Sequence, residues 1–270
     1  MRKLFVVVLL LTAAISYAKA PDGFVRIDGG TFMMGSPASE AGRSGNEVQR
    51  RITLSSFYMA QHPVTQAEYE ELMGTNPSFF KGANLPVERV SWFEAVEFSN
   101  RLSERMGLTP VYTIDGTDVS WDRSANGFRL PTEAEWEFAC RAETVTPFYT
   151  GANITTGQAN FDGNRPYNNS SRGVYRERTT PIGSFQPNSF GLYDMHGNVG
   201  EWCWDWNGPY AAGEQTDPIG ITSGAFRVFR GGSWNSSAQF LRSARRSGYN
   251  PSSKGYYLGF RLVRNAEADD

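Results

Sequence analysis

Past its first twenty positions the chain alternates apolar and polar residues in short bursts. GFVRIDGGTFMMGS, residues 23–36, carries that alternation around Gly29-Gly30 and predicts a β-hairpin or two short strands. RRITLSSFYMAQHPVT, residues 50–65, predicts another strand pair closed by Pro63, after a polar loop from Pro37 to Gln49. Three helix starts follow. Thr65 with Glu68, Ser91 with Glu94 and Thr132 with Glu135 each place a hydroxyl at the N-cap and a carboxylate three residues on, the pattern that satisfies two free N–H groups reciprocally. The second helix is predicted over 91–106, with Trp92, Ala95, Val96, Ser99 and Leu102 on its inner face and Gly107 as its C-terminal cap. The third is predicted over 132–142, with Ala134, Phe138 and Ala139 turned inward. Residues 144–187 show no helix pattern, and a loop of that length needs an organiser, for which a bound cation is one candidate. The last stretch, RGGSWNSSAQFLRSARRSGYNPSSKGYYLGFRLVR (230–264), has strand-like ends around an aperiodic run of Ser, Asn, Gly, Tyr and Arg.

The opening MRKLFVVVLLLTAAISYAKA sets two basic residues before an apolar run from Leu4 to Ile15, then Ser16, Ala18 and Ala20. This pattern predicts a secretory signal peptide over 1–20 and an exported protein, periplasmic, at the cell surface or secreted. The apolar run is too short to cross about 30 Å of hydrocarbon, so no transmembrane span is expected in the mature chain. Residues 21–270 are expected to form a single domain, because neither an internal repeat nor a linker interrupts them. With 28 Gly and 14 Pro among 270 residues, that domain should be rich in loops. A net charge of −2 without a long basic run argues against nucleic-acid binding. Cys140 and Cys203 can pair in an oxidising compartment or remain two buried thiols.

GGTFMMGS, HPVTQAEYE, LPVERVSWFEAVEFSNRLSERMGL, GFRLPTEAEWEFACRA, NSFGLYDMHGNVGEW, and RGGSW with GFR resemble, in order and over nearly the whole mature chain, the formylglycine-generating enzyme (sulfatase-modifying factor) family. The resemblance implies an α+β fold, a loop-rich variant of the C-type lectin fold. It also implies where chemistry would lie: the family enzyme oxidises a sulfatase cysteine with two cysteines that bind copper(I) and the substrate thiol. Those positions are Ser236 and Leu241 here, neither of which can supply a thiolate, so no catalytic residues are assigned. Cys140 matches a structural cysteine of the family whose partner position is Ser243. Another branch of the family uses an iron site of clustered histidines; His62 and His196 are far apart in sequence, and His196 reads as a loop hydrogen-bonding residue.

Asp194, Gly197, Val199 and Glu201 in YDMHGNVGEW match a calcium-binding loop of the family, which implies a structural calcium held by hard oxygen ligands. The competing reading is that Glu201 pairs with an Arg and Asp194 caps a turn. A second family site would begin at Asn160, but its later acidic ligand has no counterpart. Gln186-Pro187-Asn188 superficially resembles a sugar-binding tripeptide of C-type lectins, yet no Trp-Asn-Asp accompanies it.

Without catalysis, the last stretch occupies the surface that would hold the family's active site. Gly231 and Gly232 suit close backbone approach, Phe260, Leu262 and Val263 suit a buried terminal strand, and Arg242, Arg246 and Arg261 suit hydrogen-bonded scaffold. Trp234, Asn235, Ser236, Ser237, Gln239, Phe240, Arg245, Ser247, Gly248, Tyr249, Tyr256 and Tyr257 form a paratope-like filling, rigid aromatics beside adaptable polar groups. The arrangement resembles the variable region of diversity-generating retroelement proteins, in which adenine-directed mutagenesis of AAY codons alters chosen positions on a lectin-type scaffold. Gln239 and Lys254 cannot arise from such codons, which sets those two apart. The expectation is an exported, non-catalytic protein that binds a protein or other surface ligand. The rival is a sulfatase-modifying-type enzyme or accessory that uses other residues.

Overall fold

The computed structural model describes residues 20–266, so the predicted leader, all but its last residue, and the acidic tail 267–270 lie outside it. In chain order the elements begin with β1 (Phe24–Ile27), β2 (Gly30–Met34), β3 (Arg50–Leu54) and β4 (Phe57–Ala60). Then come α1 (Gln66–Met73), α2 (Trp92–Arg105), β5 (Tyr112–Asp115), β6 (Asp118–Trp121), β7 (Phe128–Arg129) and α3 (Glu133–Arg141). The rest are β8 (Gly200–Trp206), β9 (Gln215–Thr216), β10 (Arg227–Arg230), β11 (Ser247–Tyr249), β12 (Leu258–Gly259) and β13 (Val263–Asn265).

The first two strand pairs do not close on themselves. β1 pairs with β4 and β2 with β3, in one antiparallel register that runs from Phe24↔Ala60 through Ile27↔Phe57 to Gly30↔Leu54 and Met34↔Arg50. The two sequence runs are thus the two arms of one long ribbon, whose connecting loop is the polar segment 35–49. The ribbon bends where Gly29 N–H donates to Ser56 Oγ (2.9 Å), and past the bend each half joins a different sheet. Of the two arrangements expected for residues 23–36, two short strands form and a hairpin at Gly29-Gly30 does not: alternation reports which face is buried, and says nothing about which strand is the neighbour.

One sheet has the order β1-β4-β13-β7, placing the first and last strands side by side, and a second has the order β11-β10-β8-β12. All three helices begin at complete capping boxes, on Thr65, Ser91 and Thr132. α2 ends at Arg105, with Gly107 left-handed at φ 70° just beyond its cap. Its Trp92 is fully buried between the sheets, and the indole N–H donates to Cys203 O (2.9 Å). Both cysteines are free and buried. Cys140 Sγ lies 3.6 Å from Ser243 Oγ, and burial pushes its thiol up to about 12.

Buried ion pairs organise the core around α3. Glu133 takes Arg246 in a two-bond fork (2.9 and 2.7 Å), Glu135 takes Arg129 (both 2.7 Å), and Glu137 takes Arg141 and Arg230. Arg242 forks onto Glu47 (2.8 and 2.9 Å), and Arg261 forks onto Glu201 (both 2.7 Å). Such planar two-bond pairs compensate charges that burial would otherwise expel. Residues 142–187 contain no helix or extended strand. What organises them is a cluster of Phe148, Ile154, Ala159, Phe161 and Tyr167 packed against Ala238 and Leu241. Among the described residues no helix is long and apolar enough to cross a membrane.

Candidate functional site

β10 delivers the chain to Gly231 (φ 88°) and Gly232 (φ 67°), backbone values a side chain would strain; a Cβ on Gly232 would lie 2.8 Å from the Leu241 side chain. The next residues make a tight polar turn. Ser233 N–H donates to Ser236 Oγ (3.1 Å), and Ser233 Oγ donates to Asn235 Oδ1 (2.8 Å). A 3-10 turn over Ala238–Leu241 then buries Ala238 and Leu241 completely and leaves Gln239 and Phe240 exposed. The two positions that would carry the family's thiols therefore have other work: one hydroxyl closes a turn, and one leucine fills the core.

Beneath Leu241 sits His196, 2 % exposed. Its Nδ1 donates to Leu241 O (2.7 Å), its Nε2 accepts from Tyr149 N–H (3.1 Å), and its ring stacks on Tyr149 (4.8 Å between centroids). Burial lowers its pKa to about 3, so the ring is neutral and both nitrogens are occupied. It is a structural hydrogen-bonding residue. Asn188 is equally committed: Nδ2 donates to Ala139 O (2.8 Å), while Oδ1 accepts from Phe190 and Leu192 N–H.

The residues matched to a calcium loop fit a cation only in part. Asp194 is buried, its Oδ2 accepts from Gly183 N–H (3.0 Å), its Oδ1 has no partner, and burial raises its pKa to about 6. An orphan buried oxygen is what a cation ligand would leave. Glu201, however, is fully buried with both oxygens taken by Arg261 and one also by the Trp136 indole N–H (2.7 Å). Among the described residues no three His, Cys, Asp or Glu side chains cluster as metal ligands do. Glu201, the strongest would-be ligand, already has its counter-charge in Arg261, whereas Asp194 Oδ1 has no partner.

Nine of the twelve surface positions fall into two groups, and the other three form a turn. On one side Tyr256 lies 5.7 Å from Trp234 and 5.7 Å from Tyr257, and Tyr257 lies 6.2 Å from Tyr249 on the edge strand β11, which also carries Ser247 and Gly248. Three residues from elsewhere in the chain complete this group. Phe80 packs edge-on to Trp234 (5.4 Å), Phe79 reaches Tyr256 (6.3 Å), and Tyr175 stacks on Trp234 (6.1 Å). On the other side Phe240 lies under the Arg245 guanidinium (4.6 Å), and Gln239 leans on the 35–49 loop through Gly42 O (3.4 Å). The half-buried turn Asn235–Ser237 separates the groups in sequence, held by Arg165 Nη2 on Asn235 O (2.8 Å) and Asp162 N–H on Ser236 O (2.9 Å).

Trp234 is corrected from contact residue to foundation. It is 7 % exposed, Phe80, Tyr175 and Tyr256 surround its ring, and its indole N–H donates to Tyr256 O (3.2 Å). Phe79, Phe80 and Tyr175 escaped the sequence reading. The signal was present in NPSFFKGANLP, an aromatic pair in a polar, Pro-containing connection between two helices, where no core pattern accounts for it.

The chain matches the sulfatase-modifying factor enzyme 1-like domain over residues 13–266. It is 33 % identical over 272 residues to a Paenibacillus barcinonensis protein named chaperone protein LppX, covering 90 % of each chain. It is 32 % identical over 280 residues to the formylglycine-generating enzyme of Bos taurus, covering 90 % of this chain and 75 % of that one. Among solved structures, Treponema denticola variable protein 1 superposes with a TM-score of 0.78 at 30 % identity, over 90 % of this chain and 94 % of that one. The fold is thus α+β, of the loop-rich, C-type-lectin-like kind. The order of the six motifs, the capped helices and these matches agree, and the chain belongs to the sulfatase-modifying factor enzyme 1-like domain family.

Proposed function

We propose that this is an exported, non-catalytic binding protein whose segment 230–264 presents a changeable surface on a fixed scaffold. One observation carries the reading. Within the segment, Arg230, Arg242, Arg246 and Arg261 are each buried and paired with carboxylates outside it, while Asn235, Ser237, Phe240, Tyr249 and Tyr256 reach the surface between them. A scaffold so pinned tolerates change at the outward positions, because the buried ion pairs that hold it do not involve them. The likeness to a treponemal variable protein supports the same view.

The second reading is an enzyme of the sulfatase-modifying class, favoured by the likeness to the bovine formylglycine-generating enzyme. Against it stand the turn-closing hydroxyl of Ser236 and the buried side chain of Leu241, neither of which can hold copper(I). The experiment is an aldehyde-detection assay with copper(I), oxygen and a sulfatase-derived cysteine peptide. Product at the no-protein background is expected; enzyme-dependent formylglycine would overturn the non-catalytic reading.

A further inference from the structure

The aromatic group on the Tyr256 side has a composition and a shape that narrow what it can bind. Phe79 is 64 % exposed and Tyr256 45 % exposed, and they touch. Exposed aromatics in contact with each other mark an interaction surface more strongly than isolated ones do. Three pairs meet edge to face, 83° for Phe79 with Phe80, 86° for Phe80 with Trp234 and 82° for Tyr256 with Tyr257, and the exposed pair Phe79 and Tyr256 is tilted at 52°. The near-parallel pair, Tyr175 on Trp234 at 17°, spends a face of the indole within the protein. A sugar or a base is recognised by stacking on an open ring face. A corrugated set of ring edges instead accepts a branched or aromatic side chain between them.

Three basic groups lie around these rings. Arg178 holds its guanidinium 5.7 Å from the Phe80 ring, exposed Lys81 follows Phe80 and donates from Nζ to Asn76 O (2.8 Å), and the backbone N–H of exposed Arg89 donates to Gly255 O beside Tyr256. Among the described residues none of the three has a carboxylate within ion-pair distance, whereas Lys254 nearby is already paired with Glu94 (2.7 Å). The acidic groups close by are Glu177, exposed next to Arg178, Asp162, which Arg165 holds (2.6 Å), and Glu88, which is buried and accepts from Phe80 N–H (2.8 Å). Three exposed cations without a salt bridge favour an anionic partner.

Resting on the binding-protein reading, we infer that the partner is a protein segment with acidic residues flanking a large apolar side chain. That side chain sits among Phe79, Tyr256 and Tyr257 while the acids face Arg178, Lys81 and Arg89. Part of the contact is then made by residues outside 230–264, so that all members sharing this scaffold would keep a common acidic-partner bias.

The test uses the full mature chain and a phage library of random twelve-residue peptides. Enriched peptides are expected to combine Asp or Glu with Leu, Ile, Phe or Trp. Their affinity should fall at least tenfold on Phe79→Ser and on Arg178→Glu, and should weaken as salt rises from about 50 to 500 mM. Phe79 and Arg178 are exposed, and an unchanged melting temperature checks that each variant folds. Peptides that lose binding on Phe240→Ser but not on Phe79→Ser would overturn this inference and leave the binding-protein reading intact. So would hits confined to a glycan array. Failure of every peptide and glycan to bind at either side would sink both.

Discussion

Arg261→Ala is expected to destabilise the fold by about 3–5 kcal/mol, because it strands Glu201, a fully buried carboxylate, with only the Trp136 indole as partner. For a domain of this size that lowers the melting temperature by roughly 10 °C. The guanidinium also donates to Ala60 O (3.1 Å) and Tyr193 O (2.8 Å), so its loss loosens the ends of β4 and of the long loop together. Adding Glu201→Gln removes the stranded charge, and the double variant should recover part of the loss, the signature of direct coupling in a mutant cycle. By contrast, Gln239→Ala at an exposed position should stay within about 0.5 kcal/mol of the parent. Urea midpoints measure all of these. Equal costs for Arg261→Ala and Gln239→Ala would remove the distinction between frame and filling.

The second large effect is at Trp234. Trp234→Ala should cost about 3 kcal/mol, the scale for emptying an aromatic site among packed neighbours. Phe80, Tyr175 and Tyr256 would lose the ring that sets their spacing, all lying within 6.1 Å of it between centroids. Trp234→Phe keeps much of the volume and should cost about 1 kcal/mol. The readout is the urea midpoint, with near-ultraviolet circular dichroism reporting the order of the aromatic group. A Trp234→Ala protein as stable as its parent would make this residue a dispensable surface contact.

How much of this was readable from the residues follows from the range of each interaction. Capping boxes are closed within four residues, so Thr65, Ser91 and Thr132 declare their helices without any tertiary knowledge. Phe260, Leu262 and Val263 are buried as their apolar pattern implies, and Arg242, Arg246 and Arg261 are hydrogen-bonded as expected of scaffold. The carboxylates they meet lie 60 to 202 residues away, which no local pattern encodes. The same limit hides the ribbon: the sequence allows β1 and β2 as a hairpin or as two separate strands, and the partners that decide between them stand across a polar loop. It also hid the organiser of residues 144–187, since Phe148, Phe161 and Leu241 meet only in three dimensions.

The site shows the same division. The outward-facing residues of 230–264 were legible from composition, since a run of Ser, Asn, Gly and Tyr between strand-like ends has no core pattern to satisfy. Trp234 lies within that run, yet it faces three aromatic residues, two of them from other loops, which composition does not encode. Asp194 and Glu201 matched a ligand motif whose spacing is preserved here while the Glu201 carboxylate is spent on Arg261.

The central claim is that the segment separates a fixed frame from a free surface. The direct measurement is a pair of display libraries scored by protease resistance. One randomises Asn235, Ser237, Phe240, Ser247, Tyr249 and Tyr256; the other randomises Arg230, Arg242, Arg246 and Arg261. Most members of the first library are expected to stay folded and different members to select different ligands, while nearly all of the second unfold. Comparable survival in the two libraries, or collapse of the first, would contradict it.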